Sequence, residues 1–339
     1  MNQITSLSVN GPSYGIGHTS RQRSLLETAK FDGWQIKEVA IVESAPLLQQ
    51  LIGLWKIAKD SSCLVIDLDP RFVKKHHPEL NEFIGGKDLN SIQKVVIDAG
   101  PNFPIRKILN QVQFDLAIYP YGVIGATVKG DELSGFGYSI FSKELQDVRK
   151  TKLYTLNDKQ NVLISCGGSD PSNITSLYLE ALKHFSVTKL NIKVVIGKFF
   201  SKNQIENVKR LVGEVPHEVD FLYSPLSLEK AFEFADISFV TGGLTRNESM
   251  FSGVCTVVTD INQGQFESTK LFVERNAVVS LGIPDFQNIR RKKLFAEDII
   301  FSILSDRKRQ KELIKNAKLC FPKNGASQVL AEISVLCSR

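Results

Sequence analysis

Short apolar runs rich in β-branched residues recur along this chain and alternate with segments of helical period. Such runs, bounded by turn residues, are typical of β-strands. Strands are predicted at residues 38–42, 63–68, 94–98, 116–119, 161–166, 193–196, 219–223, 237–240, 255–259 and 277–281. Helices are predicted between most of them, at residues 20–32, 174–185, 202–212, 228–234, 247–252 and 268–275. The alternation predicts an α/β protein whose parallel sheets are joined by right-handed crossovers.

The chain length favours two domains. At 339 residues the chain is long for one globular domain and sufficient for two. Residues 143–159 are highly polar and precede a fresh strand, so we interpret this segment as a hinge. The predicted domains are residues 1–148 and 149–339. A basic helical stretch at residues 297–318 admits a patch for anionic lipid, although a solvated helix face is the favoured interpretation.

Composition and charge exclude several classes of protein. A hydrophobic fraction of 42% and a charged fraction of 23% are those of a core-forming chain, neither disordered nor collagen-like. No apolar run reaches the roughly 18 residues of a membrane span, and no signal peptide is recognisable, so a cytoplasmic protein without a membrane span is expected. The net charge of +6 is too mild to predict nucleic-acid binding. Five scattered cysteines without a CxxC pair predict neither a disulfide scaffold nor a zinc site.

The first of three glycine-bearing loops contains Gly17 and His18 and precedes a predicted helix. Glycine permits close approach of the backbone to a ligand, and the helix N-terminus favours an anion. His18 can exchange a proton near neutral pH, and the positive end of the helix dipole predicts a pKa held down. The competing interpretation is a histidine that caps the helix.

The second loop, at residues 166–173, directly follows a predicted strand and contains Gly167 and Gly168. This is the position at which open α/β sheets bind ligands. The two glycines would let a sugar or a diphosphate lie against the backbone. Asp170 and Asn173 are better explained as turn and helix-capping residues.

The third loop places Gly242 and Gly243 after a strand and Glu248 about one turn into the following helix. Backbone N–H groups here can hold a pyrophosphate, and a carboxylate can accept hydrogen bonds from a ribose diol. The alternative for Glu248 is stabilisation of the helix dipole. The P-loop pattern is absent, which disfavours an ATP or GTP hydrolase. Farther along, the amides of Asn262 and Gln263 can bind sugar hydroxyls or form a polar turn.

Taken in order, these motifs resemble one family. GxGHxxR, GGSDxxN, GGLTxxE followed by NQxxQ, the segment around Tyr138 and the element around Ser327 are similar to the PseG-type hydrolases of pseudaminic acid biosynthesis. That family hydrolyses UDP-2,4-diacetamido-2,4,6-trideoxy-β-L-altropyranose and is related to MurG-like glycosyltransferases of the GT-B fold. The likeness covers nearly the whole chain, although Asp98 stands alone where the family commonly has two consecutive acids.

The resemblance implies two Rossmann-like domains with the substrate in a central cleft between them. The catalytic residue would be His18, acting as general base on the water that attacks the anomeric carbon; Asp67 and Asp98 are the next candidates. No cofactor and no metal are expected. The implied nucleotide-binding residues are Gly242, Gly243, Leu244, Thr245, Asn247 and Glu248. The implied substrate-binding residues are Gly17, Arg21, Asp98, Tyr138, Gly167, Gly168, Asn262 and Gln263.

The leading functional hypothesis is therefore a UDP-sugar hydrolase of nonulosonic acid or surface polysaccharide biosynthesis. A GT-B glycosyltransferase is the first alternative, because it would use the same donor loops and the same base and differ only in its nucleophile. A binding protein that has lost its chemistry is the second alternative. An NAD enzyme is disfavoured because GxGxxG with a following acid is missing. The expected partner is a UDP-sugar, and peripheral membrane contact is not favoured.

Overall fold

A computed structural model of the chain describes residues 2–15, 17–98, 104–121, 131–152, 159–285 and 289–338. Two compact units are present, the first comprising residues 1–143 and 322–339 and the second residues 144–321. Within the described residues, no helix combines the length and the apolarity needed to cross a bilayer. Ile16 of the first glycine loop and residues 153–158 of the predicted hinge lie outside the described residues.

The first unit is built on a parallel sheet with the strand order β2-β1-β3-β4-β5-β6. Its strands are β1 (Gln3–Asn10), β2 (Gln35–Val42), β3 (Cys63–Asp67), β4 (Gln93–Ile97), β5 (Leu116–Tyr119) and β6 (Glu132–Ser134). Its helices are α1 (Gly17–Phe31), α2 (Leu47–Ala58), α3 (Pro70–Lys75), α4 (His77–Ile84), α5 (Pro104–Ile108) and, from the chain end, α14 (Ala326–Cys337). One hydrophobic core packs α1 and α14 against the sheet, and a second includes residues of α2, α3, α4 and α5.

The second unit has a parallel sheet with the order β12-β11-β10-β7-β8-β9. Its strands are β7 (Gln160–Ser165), β8 (Leu190–Ile196), β9 (Glu218–Tyr223), β10 (Ile237–Thr241), β11 (Cys255–Thr259) and β12 (Val279–Ser280). Its helices are α6 (Lys143–Thr151), which begins at the boundary, α7 (Ile174–Leu182), α8 (Lys202–Val212), α9 (Glu229–Phe234), α10 (Leu244–Ser252), α11 (Gln263–Val273), α12 (Ile289–Ser305) and α13 (Arg307–Cys320). The prediction of parallel α/β sheets is confirmed in both units.

The division of the chain differs from the predicted boundary between residues 148 and 149. The units meet between residues 143 and 144, and the last 18 residues of the chain return to the first unit. The side-chain amide of Asn324 forms hydrogen bonds with both the N–H and the carbonyl of Phe141, at 3.1 and 2.8 Å. Helix α14 then buries Val329, Leu330 and Ile333 in the core that contains α1. An apolar helical stripe does not reveal which sheet it covers, so the sequence could not predict this return.

Several elements differ from their predicted extent. Residues 143–151, predicted as part of a hinge, form α6, and the predicted basic helix at 297–318 is two helices separated at Asp306. Asp306 accepts a hydrogen bond from the N–H of Arg309 at 2.9 Å and so caps α13. Helix α1 begins at Gly17 rather than residue 20, and α10 begins at Leu244 rather than residue 247. Both glycine loops are therefore shorter than predicted, and His18 lies in the first turn of a helix.

Candidate active site

Both sheets place their polar loops at the point where the strand order reverses. In the first sheet the chain leaves β1 toward β2 and then returns to β3 on the other side. In the second sheet β8 and β9 lie on one side of β7, and β10 to β12 lie on the other. Open parallel sheets form a crevice beyond the carboxyl ends of the two strands at such a point. His18 and Asp67 flank this point in the first unit, and the loops of Gly167 and Gly242 flank it in the second.

His18 and Asp67 form a hydrogen-bonded pair. His18 lies in the first turn of α1, Asp67 is the last residue of β3, and His18 Nδ1 is 2.7 Å from Asp67 Oδ1. The carboxylate has no proton to give, so Nδ1 carries the proton and donates it. This tautomer leaves Nε2 of the neutral imidazole as a proton acceptor. The His18 side chain is 17% exposed, whereas that of Asp67 is fully buried.

Arg21 holds the carboxylate of Asp67 from the other side. It follows His18 by three residues, which places both side chains on one face of α1. Its Nε and Nη2 atoms donate to the two carboxylate oxygens at 2.6 and 2.5 Å, and Nη1 donates to the Tyr121 hydroxyl at 3.1 Å. Arg21 is predicted to bind substrate, and that role stays a prediction. In the structure its guanidinium is bound to Asp67 and its side chain is only 2% exposed.

The charges of this cluster change the pKa of each member. Burial alone would lower the pKa of His18, but the charge and the hydrogen bond of Asp67 outweigh it and raise the pKa above 6.5. Burial would raise the pKa of Asp67, but the charges of Arg21 and His18 hold it below its usual range. The prediction that the helix dipole lowers the pKa of His18 is therefore wrong. A carboxylate in direct contact outweighs the partial charge of a helix end.

A second carboxylate, that of Asp69, lies near the other imidazole nitrogen. Its Oδ2 is 3.9 Å from His18 Nε2, too far for a direct hydrogen bond. Asp69 caps α3 through the N–H of Arg71 and also binds the Arg71 guanidinium at 3.0 and 2.8 Å. Asp69 is thus held by Arg71 and places a second negative charge near Nε2. No local pattern pairs Asp69 with His18, because about fifty residues separate them in the chain.

The other residues predicted in the first unit take separate positions. Gly17 is the first residue of α1. The Asp98 carboxylate follows β4 and accepts from the N–H groups of Ile105 and Arg106 at 2.9 and 3.3 Å, so it caps α5. Tyr138 ends a 3₁₀ turn and packs against the core formed with α14. Gly325 is required there because a Cβ would lie 2.5 Å from the Tyr138 carbonyl carbon.

The loop after β7 is fixed by close backbone packing. Gly167 has a φ of +85°, a conformation that favours glycine. A Cβ on Gly197, which follows β8, would lie 2.6 Å from the Gly167 carbonyl oxygen, so the two loops touch through their backbones. A Cβ on Gly168 would approach only the Phe199 ring, at 3.6 Å. The Asp170 carboxylate accepts from the N–H groups of Ile174 and Thr175, as the capping interpretation predicts.

The loop after β10 contains two glycines with different surroundings. A Cβ on Gly242 would collide with the Asp260 carboxylate and lie 2.9 Å from Gln265 Cβ. A Cβ on Gly243 would meet no atom of the described residues within 4 Å. Gly243 is the N-cap of α10 and provides no side-chain cap. Within the described residues, no side chain accepts a hydrogen bond from the first N–H groups of the helix, at Leu244 and Thr245. This terminus suits an anion.

Two neighbours of this loop are structural. Arg246 is buried and donates to Thr269 Oγ1 at 2.8 Å, Ser268 Oγ at 3.0 Å and Asn247 Oδ1 at 3.0 Å, which ties α10 to α11. Asn247, predicted to bind nucleotide, is 2% exposed, and its side-chain oxygen accepts a hydrogen bond from Arg246. No local sequence signal marks Arg246 or Asp260, because their contacts arise only when α10 packs against α11.

Glu248 differs from Arg246 and Asn247 because its side chain has no bonded partner among the described residues. It lies in α10, is partly exposed, and forms no hydrogen bond or ion pair within the described part of the chain. Burial, reinforced by the negative charge of Glu229, raises its pKa to about 7. An acid kept half-buried without a partner destabilises the unliganded protein, and such residues are concentrated at functional sites.

Asn262 and Gln263 begin α11. Asn262 is its N-cap, with Oδ1 accepting from the N–H of Gln265 at 2.9 Å. Gln263 is exposed and its Nε2 donates to Glu267 at 2.6 Å. The polar-turn interpretation therefore accounts for both side chains, and any sugar contact they make would be additional.

Comparison with known proteins gives partial sequence matches. No family model matches the chain. An uncharacterized protein of Methanocaldococcus jannaschii is 30% identical over 133 residues, which is 38% of this chain and 27% of that protein. The UDP-N-acetylglucosamine–N-acetylmuramyl-(pentapeptide) pyrophosphoryl-undecaprenol N-acetylglucosamine transferase of Francisella philomiragia is 25% identical over 200 residues, 56% of this chain and 51% of the transferase. The spore coat polysaccharide biosynthesis protein SpsG of Bacillus subtilis is 28% identical over 151 residues, 44% of this chain and 43% of SpsG. The chain thus spans between about a quarter and a half of these relatives.

Solved structures match over nearly the whole chain. Acinetobacter baumannii MurG superposes with a TM-score of 0.65 at 13% identity, covering 98% of this chain and 99% of MurG. Staphylococcus aureus MnaA, in a co-structure with UDP, gives 0.65 at 10% identity and covers 100% of this chain and 97% of MnaA. The spinosyn rhamnosyltransferase SpnG, complexed with thymidine diphosphate, gives 0.63 at 13% identity and covers 98% of this chain and 99% of SpnG. At these identities the likeness concerns the fold. The chain has the GT-B fold, two Rossmann-like domains, and that prediction is confirmed.

Proposed function

We propose that this protein is a GT-B enzyme that transfers a sugar from a UDP-linked donor to the hydroxyl of an acceptor. The observation that carries the proposal is the His18–Asp67 pair, because an oriented imidazole at the carboxyl edge of a sheet is suited to accept a proton. The partial match to an N-acetylglucosamine transferase supports transfer rather than hydrolysis.

In this proposal the second unit binds the nucleotide. The uncapped start of α10 at Leu244 and Thr245 would donate backbone hydrogen bonds to the diphosphate, and Gly243 leaves room for its approach. The unpartnered carboxylate of Glu248 would accept hydrogen bonds from the ribose hydroxyls. Two solved structures of the same fold contain a nucleoside diphosphate, which supports this class of ligand.

The first unit supplies the proton acceptor. Nε2 of His18 would accept the proton of the acceptor hydroxyl while the hydroxyl oxygen forms a bond to the anomeric carbon. The bond between the anomeric carbon and the diphosphate breaks, and UDP leaves. The buried Asp67 carboxylate would stabilise the imidazolium that forms. Arg21 keeps that carboxylate ionised and in place.

Hydrolysis is the second candidate, and one sequence observation favours it. The motifs GxGHxxR, GGSDxxN and GGLTxxE occur here in the order and spacing that resemble PseG-type hydrolases. Water would then replace the acceptor hydroxyl at the same base, and free sugar would leave with UDP.

One assay separates the candidates. The protein is incubated with a panel of UDP-sugars, with and without candidate acceptors, and UDP release is measured. Release that needs an acceptor supports transfer, and equal release without one supports hydrolysis. Binding of UDP-sugars without any release would contradict both and indicate a binding protein.

A further inference from the structure

The second unit contains an open cleft between the starts of α7 and α8, with a volume of about 490 Å³. This size falls within the range of small-molecule sites, about 300–1,000 Å³. The cleft adjoins the loop after β7 but lies on its β8 side, away from β10 and the loop of Glu248. It is lined by neutral residues: Ser169, Pro171, Asn173, Ser201, Asn203, Gln204 and Asn207.

Both helix ends at this cleft are already occupied by side chains of the chain. At α7, the Asp170 carboxylate accepts from the N–H groups of Ile174 and Thr175 at 2.8 and 2.9 Å. At α8, Ser201 Oγ accepts from the N–H of Gln204, whose side chain accepts from the N–H of Ser201 at 2.8 Å. An anion in the cleft would find these four N–H groups already bonded to side chains of the chain. The cleft therefore disfavours phosphate and other anions.

Some side chains that line the cleft are held by hydrogen bonds to the protein, whereas others form none within the described residues. Gln204 Nε2 donates to the carbonyls of Ser169 and Asp170 at 3.2 and 2.8 Å, and Asn207 Nδ2 donates to Ser176 Oγ at 2.9 Å. Within the described residues, the side chains of Ser169, Asn173 and Asn203 form no hydrogen bond. Hydroxyl and amide groups of this kind both donate and accept, as sugar hydroxyls do.

We propose that this cleft binds an uncharged saccharide, as a site separate from the nucleotide loop after β10. Preformed walls reduce the entropy lost on binding, and the three unengaged groups would provide the hydrogen bonds that orient the ring. The proposal does not depend on the transfer reaction, since a glycan could bind here whether the protein transfers, hydrolyses or only binds a sugar.

The test is saturation-transfer NMR on the full chain with maltose and N-acetylglucosamine as uncharged probes and glucose 6-phosphate as an anionic probe. We expect a saturation-transfer signal from at least one uncharged probe at millimolar concentration, and saturating UDP should not change that signal. Glucose 6-phosphate should give no stronger signal than the uncharged probes. Asn203→Leu should weaken binding about fivefold, the effect of losing one hydrogen bond. Asn203 is exposed and unbonded, so this variant should fold normally.

Asn90→Leu is the matched control, because Asn90 is an exposed asparagine in the first unit and its replacement should leave binding unchanged. Three results would overturn the proposal. They are the absence of a saturation-transfer signal from every uncharged saccharide tested, displacement of the saccharide by UDP, and equal saccharide binding by wild type and Asn203→Leu.

Discussion

The carboxylate of Asp67 binds His18 Nδ1 at 2.7 Å on one oxygen and Arg21 Nε at 2.6 Å on the other. One buried acid thus fixes the ring orientation and tautomer of His18, while Arg21 keeps the acid ionised. The geometry resembles the His–Asp half of a catalytic triad, in which the acid orients the base without taking its proton. In the proposed mechanism the base therefore depends on His18 and Asp67 together, and each residue can be tested separately.

The first prediction concerns the base. His18→Asn keeps a hydrogen-bonding side chain but cannot accept a proton at physiological pH. Positioned base catalysis contributes about 10²–10⁴ in rate, so kcat should fall by about two orders of magnitude or more. Affinity for UDP, measured by calorimetry, should be unchanged, because the proposed nucleotide residues lie in the other unit. A variant with normal kcat and weakened donor binding would make His18 a binding residue.

The second prediction concerns pH. His18 must be neutral to accept a proton, and Asp67 raises its pKa above 6.5. We expect kcat/KM to rise with pH and to level off above the raised pKa. Asp67→Asn removes the charge that raises the pKa, so the rising limb should move to lower pH while the plateau rate falls. If the rising part of the kcat/KM profile stays at the same pH in Asp67→Asn, the group that titrates is not His18.

Local sequence patterns predict the candidate loops and His18 but do not predict contacts between residues that are distant in the chain. The glycine loops and His18 were recognised because turn, strand and helix signals are adjacent there. The pairing with Asp67 joins residues 49 positions apart and has no local signal. Strand β1 was missed because three of its buried residues are Thr5, Ser6 and Ser8. The Thr5 hydroxyl is hydrogen-bonded to Ser61 at 2.7 Å, and the Ser8 hydroxyl to Thr19 at 3.1 Å. A pattern of hydrophobic residues does not predict such buried polar contacts.

The third prediction concerns Glu248. Loss of a charge-assisted hydrogen bond to ribose should weaken UDP binding in Glu248→Gln by about 1.5–3 kcal/mol when the acid is ionised. The pKa of about 7 means that wild type itself should lose affinity as pH falls through this value. Isothermal titration across this range checks both effects. Affinity that does not change with pH or with the substitution would remove Glu248 from the site.

Glu248 also provides a stability test. Its pKa in the folded protein is raised from 4.5, so the unfolded chain ionises first and stability falls as pH rises from 4.5 toward 7. Glu248→Gln removes this penalty. Its melting temperature should exceed that of wild type well above pH 7 and should equal it well below pH 4.5. A variant that is less stable at high pH would indicate that the acid has a structural partner.

The fourth prediction concerns metal. Backbone N–H groups at the start of α10 and the helix dipole can neutralise part of the diphosphate charge. We therefore expect UDP release to continue in EDTA at the rate seen without chelator. Loss of turnover in EDTA that Mg²⁺ or Mn²⁺ restores would contradict this prediction and assign the charge compensation to a bound cation.

The last prediction compares the adjacent glycines of the third loop. A methyl group at Gly242 would enter the space of the Asp260 carboxylate and Gln265, so Gly242→Ala should destabilise the protein by about 1–3 kcal/mol. Gly243→Ala meets no steric obstacle among the described residues, so its cost should be limited to the roughly 0.5–1 kcal/mol of placing alanine at an N-cap, less than that of Gly242→Ala. The same methyl group would stand where the diphosphate is proposed to approach the start of α10, so Gly243→Ala should weaken UDP binding in a protein that still folds. Normal UDP affinity in Gly243→Ala would place the diphosphate elsewhere, and equal stability of the two variants would contradict the packing around Gly242.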